Sequence, residues 1–539
     1  MNLAPMKDYA RTCRDLRFQT PEYYNFGFDV IDVLAKDSGK IAYVAVDATA
    51  ESITEHTFAD LSIASNRVAS WLTSLGCTKG DLAFVMIPRL PAWYEIMIGC
   101  AKAGIVAMPG TNLLTAKDIE YRVQKSGARL AIVTAENAEK VDQISQNCPS
   151  LEHFIVIGES RDGWLNYSRA AEASPDYVAL EPTKSTELML IYFTSGTTSL
   201  PKMVPRDYGY AHAHQLTGRY WMDLRESDVH WTLSDTGWAK AAWGMLYAPW
   251  QMGATQILYD GPAGFDADFH LKLIAKLGVT TFCAPPTVYR LFAQQNLNQY
   301  DLSSLRHSIG AGEPLNPEVI KIWEQATGGT IHDGYGQTES VNLVANYPCL
   351  PVRPGSMGKP VPGMHVDVID EDGKTVGSGE IGHIAVRITE PHPPGLFDGY
   401  WKDEEATSKA FRHGWYYTGD TATKDEDGYF WFVGRADDII TSAGYRISPF
   451  EVESALLEHP AVAESAVVAK PDALRGEIVK AFIVLAADNH GSAALAEDIQ
   501  TFVKQHTAPY KYPREIQFVP GLPKTISGKI RRVELRDNC

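Results

Sequence analysis

The sequence predicts an α/β protein: a large N-terminal domain of doubly wound sheets with a β-rich subdomain, then a small α+β C-terminal domain. Three observations predict it. Apolar runs without a helical stripe, such as Leu188 to Phe193, alternate with amphipathic segments over the first two thirds of the chain. From about Gly363 the texture becomes one of short alternating runs broken by Asp-Gly pairs, which marks hairpins. After Asp437 a final stretch mixes helix and strand again. The expected boundaries are therefore 1–435 for the N-terminal domain, about 363–435 for its β-rich part, and 436–539 for the C-terminal domain.

Taken in order, the chain opens with an aromatic segment, Tyr23-Tyr24-Asn25-Phe26-Gly27-Phe28, and a hairpin ending near Phe58. Leu61, Ala64, Val68, Leu72 and Leu75 then share one face at a 3.6-residue period, which predicts a helix. Gly76 and Gly80 lead into a strand at Leu82 to Ile87, followed by a helix over about 92–103 and strands at Leu130 to Val133 and Phe154 to Ile157. Beyond Leu188 to Phe193 the alternation continues with a strand at Thr255 to Tyr259, a helix near 268–276 and a strand at Thr280 to Cys283. In the β-rich part Val366/Val368 and Ile384/Val386 flank Glu371-Asp372-Gly373, and Asp427-Gly428 precedes the run Tyr429 to Val433. The last unit reads as helix Glu451 to Leu457, strands Ser465 to Ala469 and Val479 to Leu485, and helix Ala494 to Gln505.

Composition bounds the function. A 539-residue chain with 45% hydrophobic and 21% charged residues has ample length for large cores in two or more domains. A net charge of -17 argues against nonspecific binding to nucleic acid or a membrane surface. The seven cysteines are scattered without a CxxC pair, so neither a zinc site nor a disulfide framework is indicated. No apolar run reaches the roughly 18–20 residues of a membrane span, and no apolar leader opens the chain. These features predict a cytoplasmic protein.

The Leu188 to Phe193 strand empties into Thr194-Ser195-Gly196-Thr197-Thr198-Ser199-Leu200-Pro201-Lys202. Small residues let backbone N–H groups approach a phosphate, and the hydroxyls and Lys202 add donors and charge. It is not a Walker A loop, because Pro201 stands where that motif needs its second glycine. A plain polar turn is the competing reading. Four other stretches bear on it. Gly334-Tyr335-Gly336-Gln337-Thr338-Glu339 offers a ring to stack on a base, a hydroxyl and a carboxylate for Mg²⁺. Tyr416-Tyr417-Thr418-Gly419-Asp420 offers a carboxylate suited to ribose hydroxyls. Gly434-Arg435-Ala436-Asp437-Asp438 sets a cation beside the domain junction, and Pro523 to Lys529 ends a loop on a lysine.

The order and spacing of these motifs resemble the AMP-forming acyl-CoA synthetases of the adenylate-forming (ANL) superfamily over nearly the full length. The resemblance rests on TSGTTSLPK (194–202), YGQTE (335–339), YYTGD (416–420), GRADDIITSAGYRISPFEVE (434–453) and PKTISGK (523–529). It is nearest to the medium-chain members, through Trp231 to Trp238, Ala508 to Arg514 and PEYYNF at 21–26. That resemblance implies a role for each motif. Thr194, Ser195, Gly196, Thr197, Thr198 and Lys202 would wrap the β- and γ-phosphates of ATP. Gly312, Glu313, Pro314, Asp333, Gly334 and Tyr335 would line the adenine, while Asp420 and Arg435 would hold the ribose. Thr338 would touch the α-phosphate, Glu339 bind Mg²⁺, and Lys529 bridge the carboxylate and α-phosphate. Asp437 would be the hinge of a mobile C-terminal domain. Gly444, Tyr445 and Arg446 would face coenzyme A, with Arg475 and Lys511 as cations for its phosphates. Gly237, Trp238, Trp243, Gly310, Ala311 and Gly334 would line the acid pocket. Ser199 and Thr441 depart from the pattern, standing where glycine and lysine are usual.

The implied reaction joins a carboxylate to ATP, releasing pyrophosphate, and then passes the acyl group from AMP to CoA. Medium-chain, branched and aromatic acids all remain open, as does an oligomer. Rival readings are an enzyme loading a carrier protein, a luciferase-like oxidoreductase and a noncatalytic nucleotide-binding protein. Two anions meet in the first step, which calls for cations placed where charge develops rather than for a protein nucleophile. In the second step the acyl group is already activated, so Lys529 has no task there. Lys529→Ala is expected to slow adenylation by at least ~10²-fold while still turning supplied acyl-AMP into thioester. Pyrophosphate release and thioester formation, measured separately, check this, and an equal loss in both refutes it.

Overall fold

The computed structural model describes residues 3–537 apart from 195–199, 263, 314, 316, 444, 488 and 525–529, and only the backbone of Arg446. Two compact units result. The first comprises 1–194, 203–364 and 389–404; the second comprises 195–202, 365–388 and 405–539. The architecture is the mixed α/β one expected, with a large and a smaller body.

One sheet of the first unit runs Leu165–Asn166, His153–Ile157, Leu130–Thr134, Leu82–Met86, Val106–Pro109, Leu188–Phe193, Met203–Asp207. Its neighbours are parallel except for the last pair. Helices cover these parallel strands, so residues such as Ala131, Ile132, Leu190 and Ile191 are buried whichever face they point to. The helix Phe58–Ser74 starts at a reciprocal cap: Thr57 Oγ1 accepts from the Asp60 N–H and Asp60 accepts from the Thr57 N–H. Leu61, Val68 and Leu72 are buried as their spacing predicts. The helix Pro91–Ala103 crosses it closely, since a Cβ on Gly99 would lie 2.5 Å from Val68.

A second sheet runs Lys359–Pro360, Asn342–Ala345, Ile331–Gly336, His307–Ala311, Thr281–Ala284, Val229–Thr232, Thr255–Tyr259, Ile41–Val46, Ile53–Thr57. Its central strands are parallel and its edges antiparallel. The segment Asp235-Thr236-Gly237 stitches the two sheets together. Asp235 accepts from Thr111 Oγ1 at 2.9 Å, and Thr236 Oγ1 donates to the Ile87 carbonyl at 2.5 Å. A Cβ on Gly237 would sit 2.1 Å from the Thr111 nitrogen. Only glycine fits that contact.

In the second unit Val366–Ile369 pairs with Gly382–Arg387, and Trp415–Lys424 joins Gly382–Arg387 to Phe430–Arg435, all antiparallel. The register sets Val366 opposite Val386 and Val368 opposite Ile384, as the alternation predicts. Asp425 to Tyr429 closes the second hairpin, with Gly428 at φ +82°. The later sheet pairs Val462–Asp472 with Gly476–Leu485, and Glu515–Phe518 runs parallel to the latter. The helices Pro449–Leu457 and Ala493–His506 pack on it through Val452, Leu456, Ile499 and Val503.

Several histidines of the first unit are buried and held neutral. Burial pushes His212 down to about 4 and His230 down to about 3, and lowers His214, His307 and His332 as well. His230 is tied at 2.7 Å to each of the Thr281 and Thr232 hydroxyls. Each folded value lies below the unfolded one, so this stability is complete above the ordinary histidine value and is lost as pH falls through the folded value. The unfolding free energy from denaturant titration is expected to fall from pH 7 towards pH 4, by on the order of 1 kcal/mol per histidine per pH unit at most. A flat profile over that window refutes it.

Candidate active site

Parallel strands buried on both faces expose few polar groups except near their ends, and ligands of such sheets bind beyond the carboxyl ends. Thr194, Gly312, Glu313, Thr338 and Glu339 of the first unit stand just past such strands, and other candidates lie on the strands themselves. Thr194 follows Leu188–Phe193 and is half-buried; Ser195, Gly196, Thr197, Thr198 and the departing Ser199 lie outside the described residues. Lys202, also half-buried and part of the second unit, directly precedes Met203–Asp207 in the chain. The strand His307–Ala311 ends at Gly312, whose φ of +107° favours glycine, and at Glu313. Glu313 accepts from Thr287 Oγ1 at 3.0 and 2.9 Å and pairs with Arg290 at 3.2 Å. Pro314 lies outside the described residues.

The neighbouring strand Ile331–Gly336 brings in Asp333, Gly334 and Tyr335. Asp333 is buried, and burial pushes its carboxyl up to about 8 despite the Gly334 N–H at 3.0 Å and the charge of Lys240. Lys240 is pushed down by burial, with its Nζ 3.4 Å from the Ala311 carbonyl. Thr338 is half-buried and Glu339 buried in the turn after that strand. Tyr400 Oη donates to Glu339 Oε1 at 2.9 Å.

Of the acid-pocket candidates, Gly310 and Ala311 lie on one strand beside Gly334 on the next, Ala311 opposite it in register. Trp243 is half-buried with its ring 5.5 Å from Trp221. Trp221 itself packs on Gly334, where a Cβ would lie 2.3 Å from the indole, and its Nε1 donates to the His332 carbonyl at 3.1 Å. Sequence reasoning does not find Trp221. Its only local signal is the aromatic pair Tyr220-Trp221 at the end of a helix, and its π-helical turn, Thr217–Trp221, like that of Trp243, Ala242–Tyr247, has no simple periodic signature. Trp238 is half-buried ahead of that second turn, and Gly237 occupies the stitch between sheets.

In the second unit Asp420 and Arg435 are direct cross-strand partners, with Arg435 Nε 3.5 Å from Asp420 Oδ1. Asp437 accepts at its carbonyl from Arg536 at 2.9 Å. Tyr445 is exposed and stacks on Tyr510 at 4.2 Å. The Arg475 carbonyl accepts from the Ala443 N–H at 2.8 Å, and Lys511 pairs with Glu451 at 2.5 Å. Thr441 donates its N–H to Glu477 at 2.6 Å. Gly444, the Arg446 side chain and Lys529 lie outside the described residues.

Among the described residues no group of three or more His, Cys, Asp or Glu could cage a metal. Mg²⁺ needs no such cage, because it keeps waters and binds one or two carboxylates together with substrate phosphates. A buried, oriented carboxylate such as Glu339 suits it.

Residues 32–401 match the AMP-binding enzyme family and residues 451–529 the AMP-binding enzyme C-terminal domain. Acyl-coenzyme A synthetase ACSM3, mitochondrial, of Mus musculus is 43% identical, over 98% of this chain and 93% of that protein. The chain belongs to the AMP-binding enzymes, among the acyl-coenzyme A synthetases. Two solved structures agree. The anthranilate CoA ligase AuaEII, in complex with anthranoyl-AMP, is 34% identical with a TM-score of 0.87 over 98% of both chains. The acyl-CoA synthetase of Brucella canis is 38% identical with a TM-score of 0.73, over 98% of this chain and 97% of that one. This acyl-CoA synthetase is an AMP-forming acid–CoA ligase whose substrates are a carboxylic acid, ATP and CoA.

The cytoplasmic expectation is corrected by curated relatives such as that ACSM3 synthetase, which are named as mitochondrial. It rests on scattered cysteines and the lack of an apolar leader. Neither feature singles out the cytoplasm, since mitochondrial addresses are amphipathic and Arg-rich rather than apolar. No helix among the described residues is long and apolar enough to cross a membrane.

Gly334→Ala is expected to cost about 1–3 kcal/mol of stability by forcing the Trp221 indole away. Gly310→Ala, whose Cβ would meet nothing nearer than 3.4 Å, is expected to cost less. Thermal unfolding of the two variants side by side checks this; equal losses refute it.

Proposed function

We propose that the acid is a medium-chain fatty acid or one of similar size, and that the ligase divides its two half-reactions between two placements of a C-terminal domain, 436–539, turning on Asp437. The observation that carries this reading is full-length likeness to acyl-coenzyme A synthetases, which extends through the segment ending at Lys529. In the first half-reaction Thr194 to Thr198 and Lys202 orient the β- and γ-phosphates. Gly312 to Pro314 and Asp333 to Tyr335 receive the adenine, and Asp420 with Arg435 the ribose. Thr338 donates to the α-phosphate, and Lys529 draws the carboxylate oxygen to it. Glu339 would hold Mg²⁺, which when bound offsets the phosphate charge. Placing donors where charge develops contributes most of the acceleration, and no side chain becomes covalently attached.

In the second half-reaction Gly444, Tyr445 and Arg446 guide the thiol, with Arg475 and Lys511 near the phosphates of CoA. Lys511 must then exchange Glu451 for phosphate, a small cost for a partly exposed pair. Gly237, Trp238, Trp243, Gly310, Ala311 and Gly334 bound the acid.

A second reading, an aryl acid, is favoured by likeness to a ligase solved with anthranoyl-AMP. Pyrophosphate release across linear, branched and aromatic acids, with and without CoA, separates the two. Medium linear acids are expected to give the highest kcat/KM and CoA-dependent turnover. A preference for benzoate-like acids overturns the first reading in favour of the second.

A further inference from the structure

The turn that carries Glu339 is tied to two distant segments, and those ties have no place in the roles given so far. Its carbonyl accepts from Arg206 Nη1 at 2.8 Å and from the Phe397 N–H at 2.9 Å. Its carboxylate accepts from Tyr400 at 2.9 Å. Arg206 also donates to the Gly395 carbonyl, and its guanidinium lies 3.9 Å above the Tyr210 ring. The Trp401 N–H donates to the Met203 carbonyl at 2.9 Å.

These contacts bring three stretches together: the strand Met203–Asp207, the turn after Ile331–Gly336, and the segment 395–401. That last segment has little room to shift. Gly395 has φ +65°, and a Cβ there would meet Val341 at 2.5 Å and Ala213 at 2.8 Å. The Phe397 and Tyr400 rings meet edge to face at 5.0 Å, which fixes the phenol that reaches Glu339. Arg206 is 2% exposed, so its charge is spent on backbone carbonyls deep in the fold. A buried guanidinium is a costly way to hold a turn unless the placement of that turn matters.

We propose that Tyr400 and Arg206 are positioning residues for Glu339: Tyr400 sets the plane of the carboxylate and Arg206 the height of its backbone, so that it meets the metal of Mg·ATP. This rests on the reading of Glu339 as the metal carboxylate. A metal ligand is oriented by the hydrogen bond it makes behind the metal, and losing such a bond costs typically about 10–100-fold in affinity or activity. Arg206 lies four residues beyond Lys202 in the sequence. One buried side chain thereby links the metal carboxylate to the strand next to the phosphate-binding stretch.

The test uses the full-length enzyme with Mn²⁺ as the probe and a non-hydrolysable ATP analogue, followed by electron paramagnetic resonance. Tyr400→Phe keeps the ring and removes only the hydroxyl, so folding is preserved; matched thermal unfolding confirms it. Its Mn²⁺ dissociation constant in the ternary complex is expected to rise at least ~10-fold. The Mg²⁺ concentration for half-maximal adenylation should rise in step, while thioester formation from supplied acyl-AMP changes far less. Arg206→Lys, which keeps the charge and loses the fork, is expected to move the same quantities in the same direction. Glu339→Gln serves as the reference. If it weakens Mn²⁺ binding and Tyr400→Phe leaves the constant within twofold, the positioning role is overturned. If Glu339→Gln itself leaves Mn²⁺ binding unchanged, the metal-carboxylate reading fails instead. A parallel fall of both half-reactions in Tyr400→Phe also overturns the proposal, because it marks a merely structural residue.

Discussion

Burial of parallel strands on both faces is the constraint on which the rest of this structure depends. A strand such as Leu82–Met86, apolar on both sides, cannot carry a carboxylate or a small hydroxyl without taking it out of water. Polar chemistry is therefore displaced to the strand ends. The stitch from Asp235-Thr236-Gly237 to Thr111 and Ile87 then joins the ends of strands from two different sheets. Joining the ends lets Thr194, Gly312, Asp333 and Glu339 belong to one unit although they lie on or just after three separate strands. A single glycine contact, Gly237 against the Thr111 backbone, is what permits the approach.

Much of this is legible in the sequence, because short-range physics decides it. The helix Phe58–Ser74 is announced by its stripe and by the Thr57/Asp60 cap, and the register of Val366 against Val386 follows from alternation alone. The cross-strand pairing of Asp420 with Arg435 is the structural expression of two separate motifs. The illegible part depends on long-range packing. Arg206, Tyr400 and Trp221 look like ordinary residues in their own neighbourhoods, and each acquires its role from a partner more than 60 residues away. The close approach of Gly237 to the Thr111 backbone is likewise unannounced in its own neighbourhood. No periodicity reports such contacts. The compartment escapes for a different reason: scattered cysteines are compatible with more than one address.

The charges sort by cost of separation. Arg532 donates to Glu453 at 2.7 and 2.8 Å in the core of the second unit, where burial raises the Glu453 carboxyl and the guanidinium opposes that rise. Breaking that pair would strand a buried charge, so it is a fixture of the fold. Lys511 with Glu451 is a partly exposed pair of small net value. An acidic chain can thus accept a triphosphate or a CoA tail, because its surface cations can change partners at little cost.

The same sorting bears on the hinge. If the chain turns at Asp437, contacts made wholly beyond it travel with the moving part. The ion pairs of Asp438 with Arg532 and Arg536, at 3.6 and 3.1 Å, are of this kind. Others span the pivot: Ser448 Oγ donates to the Val433 carbonyl, and the Phe450 ring lies 6.1 Å from Phe432. A hydrogen bond and an aromatic contact each contribute on the order of 1 kcal/mol. Contacts of that size are small enough for a ligand that binds one arrangement in preference to another to outweigh, so on the proposed reading acyl-AMP and CoA would decide which placement prevails. On that reading the strong contacts would keep the turning part rigid, and the weak ones would let it turn.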